Sequence, residues 1–265
     1  IIESIFIPKI TTKTVKAEDS KISKKNNVLF ILIDDLGIKD LECYGSEYYE
    51  TPNIDKLASQ GMRFTDAYAA APVCSPTRAS IVTGKYPARL HLTEYIPGKE
   101  HPYAKLSTPD WRKYLPLSET TYAEVFAKNG YKTLHIGKWH LGRKSPEEHG
   151  FDEVVPKKGK KNMNDPKYVN YYTDLLLEFM EKNKDEPFMA VLSHGTVHVP
   201  LYEKDELIDK YKNKEPGSNG QNNPVMAAMI ERLDQSIGRI LDKIKELGLS
   251  DNTAIVFFSD NGGLL

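Results

Sequence analysis

The stretch NVLFILIDDLG, residues 27–37, decides the fold of this chain. Its apolar run has no polar residue at alternate positions, which is typical of a strand buried on both faces of a mainly parallel sheet. Two acids, Asp34 and Asp35, follow the run directly. Ligands of open α/β sheets bind beyond the carboxyl ends of the strands, so the acids predict a functional site at that edge.

The rest of the chain alternates between helical and strand patterns. Helices are predicted in TPNIDKLASQG, TYAEVFAKNG, YVNYYTDLLLEFMEKNK and a long segment whose apolar residues between Met226 and Leu247 share one face. Strands are predicted in YKTLHIG, FMAVLS and AIVFF. The lysine-rich segment PKKGKKNMNDP, residues 156–166, is interpreted as a solvated loop, with contact to an anionic substrate as the alternative. This alternation predicts a layered α/β fold.

Composition sets limits on function. The 265 residues carry a net charge of −1, which gives no general basic field for nucleic acid. No apolar run has the length of a membrane span. Residues 1–25 are predicted to be a polar tail, and lysines interrupt the apolar part that a signal peptide would need. The absence of an Asn-x-Ser/Thr site favours a bacterial source over a eukaryotic secreted or lysosomal one.

A second strand also ends in polar residues. The run AIVFF leads through Ser259 into Asp260 and Asn261. If this strand lies beside the first, three carboxylates and one amide share a crevice, and a cation is the simplest way to offset their repulsion. Oxygen ligands favour Ca²⁺ or Mg²⁺ over zinc. For either strand end alone, a solvated turn is the alternative.

The segment CSPTRASIVTG, residues 74–84, predicts a helix that begins near Pro76 and ends at Gly84. The N–H groups and dipole of a helix N-terminus favour an anion, and Arg78 adds a positive charge. Cys74 would then point at a tetrahedral anion. The alternative is a buried Cys74 with a packing role; Cys43 is interpreted in that way.

The chain resembles the type I sulfatases of the alkaline phosphatase superfamily. The motifs that carry the resemblance are, in chain order, NVLFILIDDLG, CYGSEYYETPNIDKLASQGMRF, CSPTRASIVTG, GYKTLHIGKWHLG, HGFDEV, VHVPL and IVFFSDNGG, which together extend over residues 27–263. The resemblance implies an α/β/α sandwich around a mainly parallel mixed sheet, with residues 26–265 as a catalytic domain incomplete at its C-terminus. A further sulfate-binding lysine and a smaller C-terminal domain of the family have no counterpart in these residues.

The resemblance also implies a metal site and a modified residue. Asp34, Asp35, Asp260 and Asn261 match the ligands of a divalent cation, Ca²⁺ in preference to Mg²⁺. Residue 74 would lie beside this cation as formylglycine, which a formylglycine-generating enzyme makes from Cys74.

Further roles follow from the resemblance, one position at a time. Arg78 would hold the hydrated aldehyde, Lys138 the sulfate, and His140 would bond to the hydrate. His198, before Val199-Pro200, would protonate the leaving alcohol, and His194 would be structural. For Lys138 and His140 the alternative is an exposed lysine and a half-buried histidine.

The function implied is hydrolysis of a sulfate monoester, preferably on a sulfated carbohydrate, in the periplasm or outside a bacterium. Neither nucleic acid nor a membrane span is expected. One alternative is a phosphomonoester, phosphodiester or phosphonate hydrolase of the same superfamily. Another is an inactive anion-binding protein in which Cys74 stays a thiol.

Overall fold

The computed structural model describes residues 25–99, 102–106 and 109–263. The predicted N-terminal tail, except for Lys25, lies outside the described residues. Within them, no helix combines the length and the apolar character that crossing a membrane requires.

Five strands form one sheet. They are β1 (Asn27–Ile33), β2 (Lys132–Gly137), β3 (Glu153–Pro156), β4 (Phe188–Ser193) and β5 (Thr253–Ser259), in the order β3-β2-β4-β1-β5. All four pairings are parallel. The predicted α/β fold is confirmed, and an antiparallel strand, which a mixed sheet requires, does not occur among the strands described here. Ile33 pairs with Ser259 and Gly137 with Ser193, so the carboxyl ends of the four longer strands lie at one edge.

Seven α-helices accompany the sheet: α1 (Pro52–Gln60), α2 (Cys74–Thr83), α3 (Pro87–Leu90), α4 (Tyr122–Lys128), α5 (Val169–Lys182), α6 (Asp205–Lys212) and α7 (Pro224–Glu246), counted over the described ranges. The helices predicted at α1, α2, α4, α5 and α7 are confirmed. The sequence did not predict β3, α3 or α6, which are only 4, 4 and 8 residues long.

Helices cover both faces of the sheet. Leu29, Ile31 and Ile33 of β1 belong to a core that includes the buried faces of α5 and α7. Val28 and Phe30, at the alternate positions, pack in a second core with Ala123 of α4. This is the three-layer α/β/α arrangement that the resemblance implied.

A glycine ends β2 where the strand meets β4. The φ angle of Gly137 is +97°, and a Cβ at this position would lie 2.1 Å from the carbonyl oxygen of Ser193. Any side chain here would therefore push the two strands apart. The close approach also lets the backbone N–H of Lys138 donate to Ser193 at 2.9 Å, which places Lys138 directly beyond the strand ends.

Candidate active site

Cys74 is the first residue of α2, and the first six residues of this helix are all buried. Val73 precedes it in an extended conformation without a side-chain cap. Thr77 fixes the entry to the helix, because its Oγ1 accepts from the Ala71 N–H at 3.1 Å and donates to the Ala71 carbonyl at 2.9 Å. The positive end of α2 and the Cys74 side chain thus lie in the protein interior.

The polar residues after β1 and β5 meet this helix end. Potential ligand atoms of Asp34, Cys74 and Asp260 all lie within 4.8 Å of one another. Asp35 has a left-handed backbone, with φ of +62°, and its N–H donates to Asp260 Oδ1 at 3.3 Å. Asn261 Nδ2 donates to Asp35 Oδ1 at 2.6 Å. Four residues from two neighbouring strand ends therefore form one cluster with Cys74.

The donor set of this cluster fits a hard cation. Asp35 Oδ2 and Asn261 Oδ1 are buried and have no hydrogen-bond partner among the described residues. Buried oxygens without a partner cost free energy, and a cation that prefers oxygen ligands would satisfy them. Asp34 and Asp260 keep lone pairs for the same purpose, because a carboxylate can accept about four hydrogen bonds or metal contacts.

Two basic side chains pair with the carboxylates. Lys138 Nζ donates to both oxygens of Asp34, at 2.7 and 2.6 Å. Arg78 is 2% exposed; its Nε donates to Asp260 Oδ2 at 2.8 Å, and its Nη1 donates to the Lys138 carbonyl and to Ser193 Oγ. The remaining nitrogen, Nη2, has no hydrogen bond and lies 3.6 Å from Asp34 Oδ1. Arg78 is thus held on one side and has a free donor on the other.

Burial and charge act in opposite directions on the two acids. Burial would raise the pKa of Asp34, but the charges of Arg78 and Lys138 outweigh it and leave that pKa below its ordinary value. Burial raises the pKa of Asp260 to about 6; the Arg78 charge opposes this rise, and the Asp34 charge adds to it. The charges of Arg78 and Lys138 thus outweigh the effect of burial at Asp34 but not at Asp260.

His140 faces Cys74 with a defined tautomer. Its Nε2 lies 2.5 Å from the Ile96 carbonyl, so this nitrogen donates. Its Nδ1 then accepts, 3.2 Å from Cys74 Sγ. Ser75 Oγ accepts from the Ile96 N–H at 3.0 Å and so fixes the loop that orients the ring. Burial, and then the Lys138 charge, lower the pKa of His140 to about 4, which keeps the ring neutral at pH 7.

The Cys74 thiol is also neutral. Burial raises its pKa above the ordinary value, and the Asp34 and Asp260 charges add to the effect, whereas Lys138 and Arg78 oppose it. An unmodified Cys74 is accordingly a weak nucleophile, since the thiolate is the reactive form.

The two histidines after β4 differ in position. His198 Nδ1 lies 2.6 Å from the Val199 carbonyl, and its Nε2 lies 3.7 Å from Asp35 Oδ2. Two backbone hydrogen bonds fix the loop that carries both histidines to Asp34. The Asp34 N–H donates to the Thr196 carbonyl, and the Val197 N–H donates to the Asp34 carbonyl. His194 is completely buried, and neither of its ring nitrogens has a partner within the described ranges. His198, not His194, therefore faces the cluster.

An open cavity of about 380 Å³ lies beside the cluster. It is lined by Gly137, Lys138, Trp139, His140, Pro146, Val154, Pro156, Lys157 and His198. The structure thus brings the nine predicted site residues to one end of the sheet: Asp34, Asp35, Cys74, Arg78, Lys138, His140, His198, Asp260 and Asn261.

Sequence reasoning missed Ser193 and Ile96. Ser193 Oγ accepts from Arg78 and donates to the Lys138 carbonyl at 2.7 Å. Its only signal is its place at the end of a buried strand, directly before His194. Ile96 acts through its backbone, which leaves no signal in the side chain.

Known proteins resemble this chain over most of its length. Human N-acetylgalactosamine-6-sulfatase is 29% identical over 90% of the chain and 50% of its own length. The crystal structure of Ps i-CgsB in complex with k-i-k-neocarrahexaose aligns with a TM-score of 0.76 at 28% identity, over 91% of this chain and 59% of that one. Phosphonate monoester hydrolase of Agrobacterium radiobacter, at 17% identity and a TM-score of 0.68, covers 90% of this chain and 63% of its own and shares the fold.

The chain spans about half the length of the curated relatives it matches. The family model described as Sulfatase matches residues 26–265. On this match, together with the site geometry, the chain belongs to the Sulfatase family.

Proposed function

We propose that this chain carries the catalytic centre of an enzyme that hydrolyses sulfate monoesters to an alcohol and inorganic sulfate. The observation that carries the proposal is the position of Cys74, at a buried helix N-terminus among three aspartates, Arg78 and Lys138. Family membership supports the reaction class.

We propose that Cys74 is oxidised to formylglycine by a formylglycine-generating enzyme. The neutral thiol supports this, because an unmodified Cys74 is poorly suited to attack an anionic ester. Hydrated formylglycine supplies two hydroxyl groups on one carbon, one to attack sulfur and one whose deprotonation allows sulfate to leave.

Asp34, Asp35, Asp260 and Asn261 would hold Ca²⁺, in preference to Mg²⁺, next to residue 74. The unpartnered oxygens of Asp35 and Asn261 support this assignment. The bound cation supplies positive charge that offsets the charge developing on oxygen atoms near sulfur.

Arg78 would hold the hydrated aldehyde of residue 74 and help neutralise its charge, and Lys138 would bind the sulfate group. The free Nη2 of Arg78 points towards Asp34 in the cluster, and three hydrogen bonds hold the rest of the guanidinium in place. Donors fixed before the substrate arrives stabilise developing charge most effectively, because they need no reorganisation during the reaction.

His140 and His198 would move protons. The neutral His140 ring turns its accepting Nδ1 towards residue 74, which suits a base that takes a hydroxyl proton. His198 lines the cavity and would donate a proton from Nε2 to the departing alcohol oxygen.

The test uses protein expressed from the whole open reading frame, in a host that makes formylglycine. Peptide mass analysis should find the aldehyde or its hydrate at residue 74, and the protein should release sulfate from 4-nitrophenyl sulfate. Cys74→Ala, the matched control, should be inactive. Hydrolysis of 4-nitrophenyl phosphate in preference would favour the phosphoester alternative, and a fully active protein with unmodified Cys74 would refute the formylglycine role.

We further propose a sulfated saccharide as the substrate and the bacterial periplasm or exterior as the location. The saccharide is supported by two relatives: one is named N-acetylgalactosamine-6-sulfatase, and the other, Ps i-CgsB, was crystallised in complex with k-i-k-neocarrahexaose. A screen of sulfated mono- and oligosaccharides tests the substrate, and cell fractionation tests the location.

A further inference from the structure

We propose that Lys157 and Lys167 form a second anion subsite beside the sulfate pocket, so that the preferred substrate carries a second negative group. This proposal rests on the proposed function, since it deepens the specificity of the same site. The second group is a sulfate or a carboxylate on the same sugar or on its neighbour.

Lys157 follows the end of β3 and lines the same cavity as Lys138 and His198. Its side chain lies against the loop after β4, because a Cβ at Gly195 would be 3.5 Å from Lys157 Cε and 3.8 Å from its Nζ. Lys157 is exposed as a residue, but partial desolvation of its ammonium group, and then the Lys138 charge, lower its pKa. A side chain from the edge of the sheet therefore brings positive charge close to the catalytic cluster.

Lys167 contacts the backbone of His198. Its Nζ donates to the His198 carbonyl at 2.8 Å and lies 5.0 Å from the centre of the Tyr202 ring. Burial, and then repulsion from Lys157, lower the pKa of Lys167 to about 8. The φ angles of Lys167 and Tyr168 are both +58°, a left-handed conformation that is unfavourable for residues other than glycine. Surrounding contacts thus hold Lys167 in a defined place.

These two lysines have no acidic partner in the described structure. Lys138 and Arg78 are both paired with carboxylates. Lys157 makes no hydrogen bond or ion pair with any described residue, and the one hydrogen bond that Lys167 donates there goes to a neutral carbonyl. Repulsion from Lys157 lowers the affinity of Lys167 for its proton, and a bound anion would offset this repulsion.

Charges other than those of Lys157 and Lys167 suffice for one sulfate ester. Arg78 and Lys138 contribute two positive charges, and Asp34, Asp35 and Asp260 three negative ones, which leaves −1. A divalent cation would change this to +1, which matches the single charge of a sulfate monoester, and the further sulfate-binding lysine that the resemblance implies would add to the positive side. The charges of Lys157, which lines the cavity, and of Lys167 are then not needed for the first sulfate.

The experiment measures binding, so that it does not depend on turnover. Calorimetry with the inert Cys74→Ala protein, expressed from the whole reading frame and supplied with Ca²⁺, would compare saccharide pairs that differ by one anionic group. One pair is glucosamine 6-sulfate and glucosamine 2-N,6-O-disulfate; others are mono- and disulfated carrageenan disaccharides, and a sulfated disaccharide with and without a uronate. A charge-assisted hydrogen bond adds roughly tenfold or more to affinity, so the second group should tighten binding by about that factor in at least one pair.

In the Cys74→Ala protein, the added substitution Lys157→Gln should remove most of the affinity gained from the second anionic group, and Lys157→Arg should retain it. Lys160→Gln is the matched control, because Lys160 lies in the same loop but is not among the residues that line the cavity, and it should keep the full gain. Absence of any gain from a second anionic group, or a gain that survives in Lys157→Gln, would overturn the proposal. Failure of the proposed function would appear separately, as an unmutated protein that releases no sulfate.

Discussion

Replacement of one buried histidine should change how the stability of the protein depends on pH. His135 lies in β2, with its ring centre 5.3 Å from those of Trp139 and Phe151. Burial, and then the Arg78 charge, lower the pKa of His135 from 6.5 to about 3. Between those two values the unfolded chain binds a proton that the folded chain does not bind. The contribution of the neutral His135 side chain to stability is therefore complete above pH 6.5 and is lost as the pH falls towards 3.

The size of the effect follows from the two pKa values. Between pH 7 and pH 5, an unfolded histidine takes up about three quarters of a proton, while His135 in the folded chain stays neutral. Integration over this interval gives a loss of about 2 kcal/mol in the free energy of unfolding from His135 alone. His194, whose pKa burial lowers to about 4, adds a similar loss of its own.

Urea denaturation at pH 7 and pH 5 measures this dependence. In His135→Leu the decrease in stability between the two pH values should be smaller by about 2 kcal/mol than in the parent, whatever the substitution does to stability at pH 7. His91→Asn, at an exposed histidine, is the control and should keep the dependence of the parent. If His135→Leu also keeps it, then His135 takes up a proton in the folded protein and the reasoning from burial is wrong.

Two further predictions concern the site. His198→Ala should lower kcat/KM for a sugar sulfate by roughly 10²–10⁴-fold and far less for an activated aryl sulfate, which needs little protonation of its leaving group; equal losses would exclude the general-acid role. Ca²⁺ at a hundred times its Kd should stabilise the protein by about 2.7 kcal/mol in thermal unfolding. Asp35→Asn should weaken this stabilisation and exposed Asp242→Asn should not, so an unchanged Ca²⁺ midpoint in Asp35→Asn would count against the metal site.

Much of the site could be predicted because its residues follow apolar strands or begin a helix. An apolar run followed by Asp34 and Asp35, and another followed by Asp260 and Asn261, indicate strand ends, and parallel strands bring such ends to one edge. The pairing itself was not readable, since β1 lies between β4 and β5, which come more than 150 residues later. The Ile96 carbonyl was not readable either, because every residue has one.

The lysine-rich segment shows a different limit. As a sequence, residues 156–166 resemble any solvated loop, and nothing in their composition separates Lys157 from Lys160. The difference arises from β3, whose last residue, Pro156, pairs with Gly137 at the edge of the site. A four-residue strand with half-exposed side chains gives little periodic signal, so the position of Lys157 depends on tertiary structure.

The pairing of charges in the site predicts that cation and sulfate bind cooperatively. Without a ligand, Lys138 donates to both oxygens of Asp34. A sulfate needs this donor, and a divalent cation needs these acceptors, so each ligand makes available the group that the other requires. Inorganic sulfate should therefore bind Cys74→Ala protein more tightly with Ca²⁺ than with EDTA, by roughly 5- to 150-fold if the coupling has an ordinary size. Because such coupling is reciprocal, sulfate should tighten Ca²⁺ binding by the same factor, which calorimetry in both orders of addition measures. Equal sulfate affinities in Ca²⁺ and in EDTA would show that Lys138 and Asp34 do not exchange partners when the site fills.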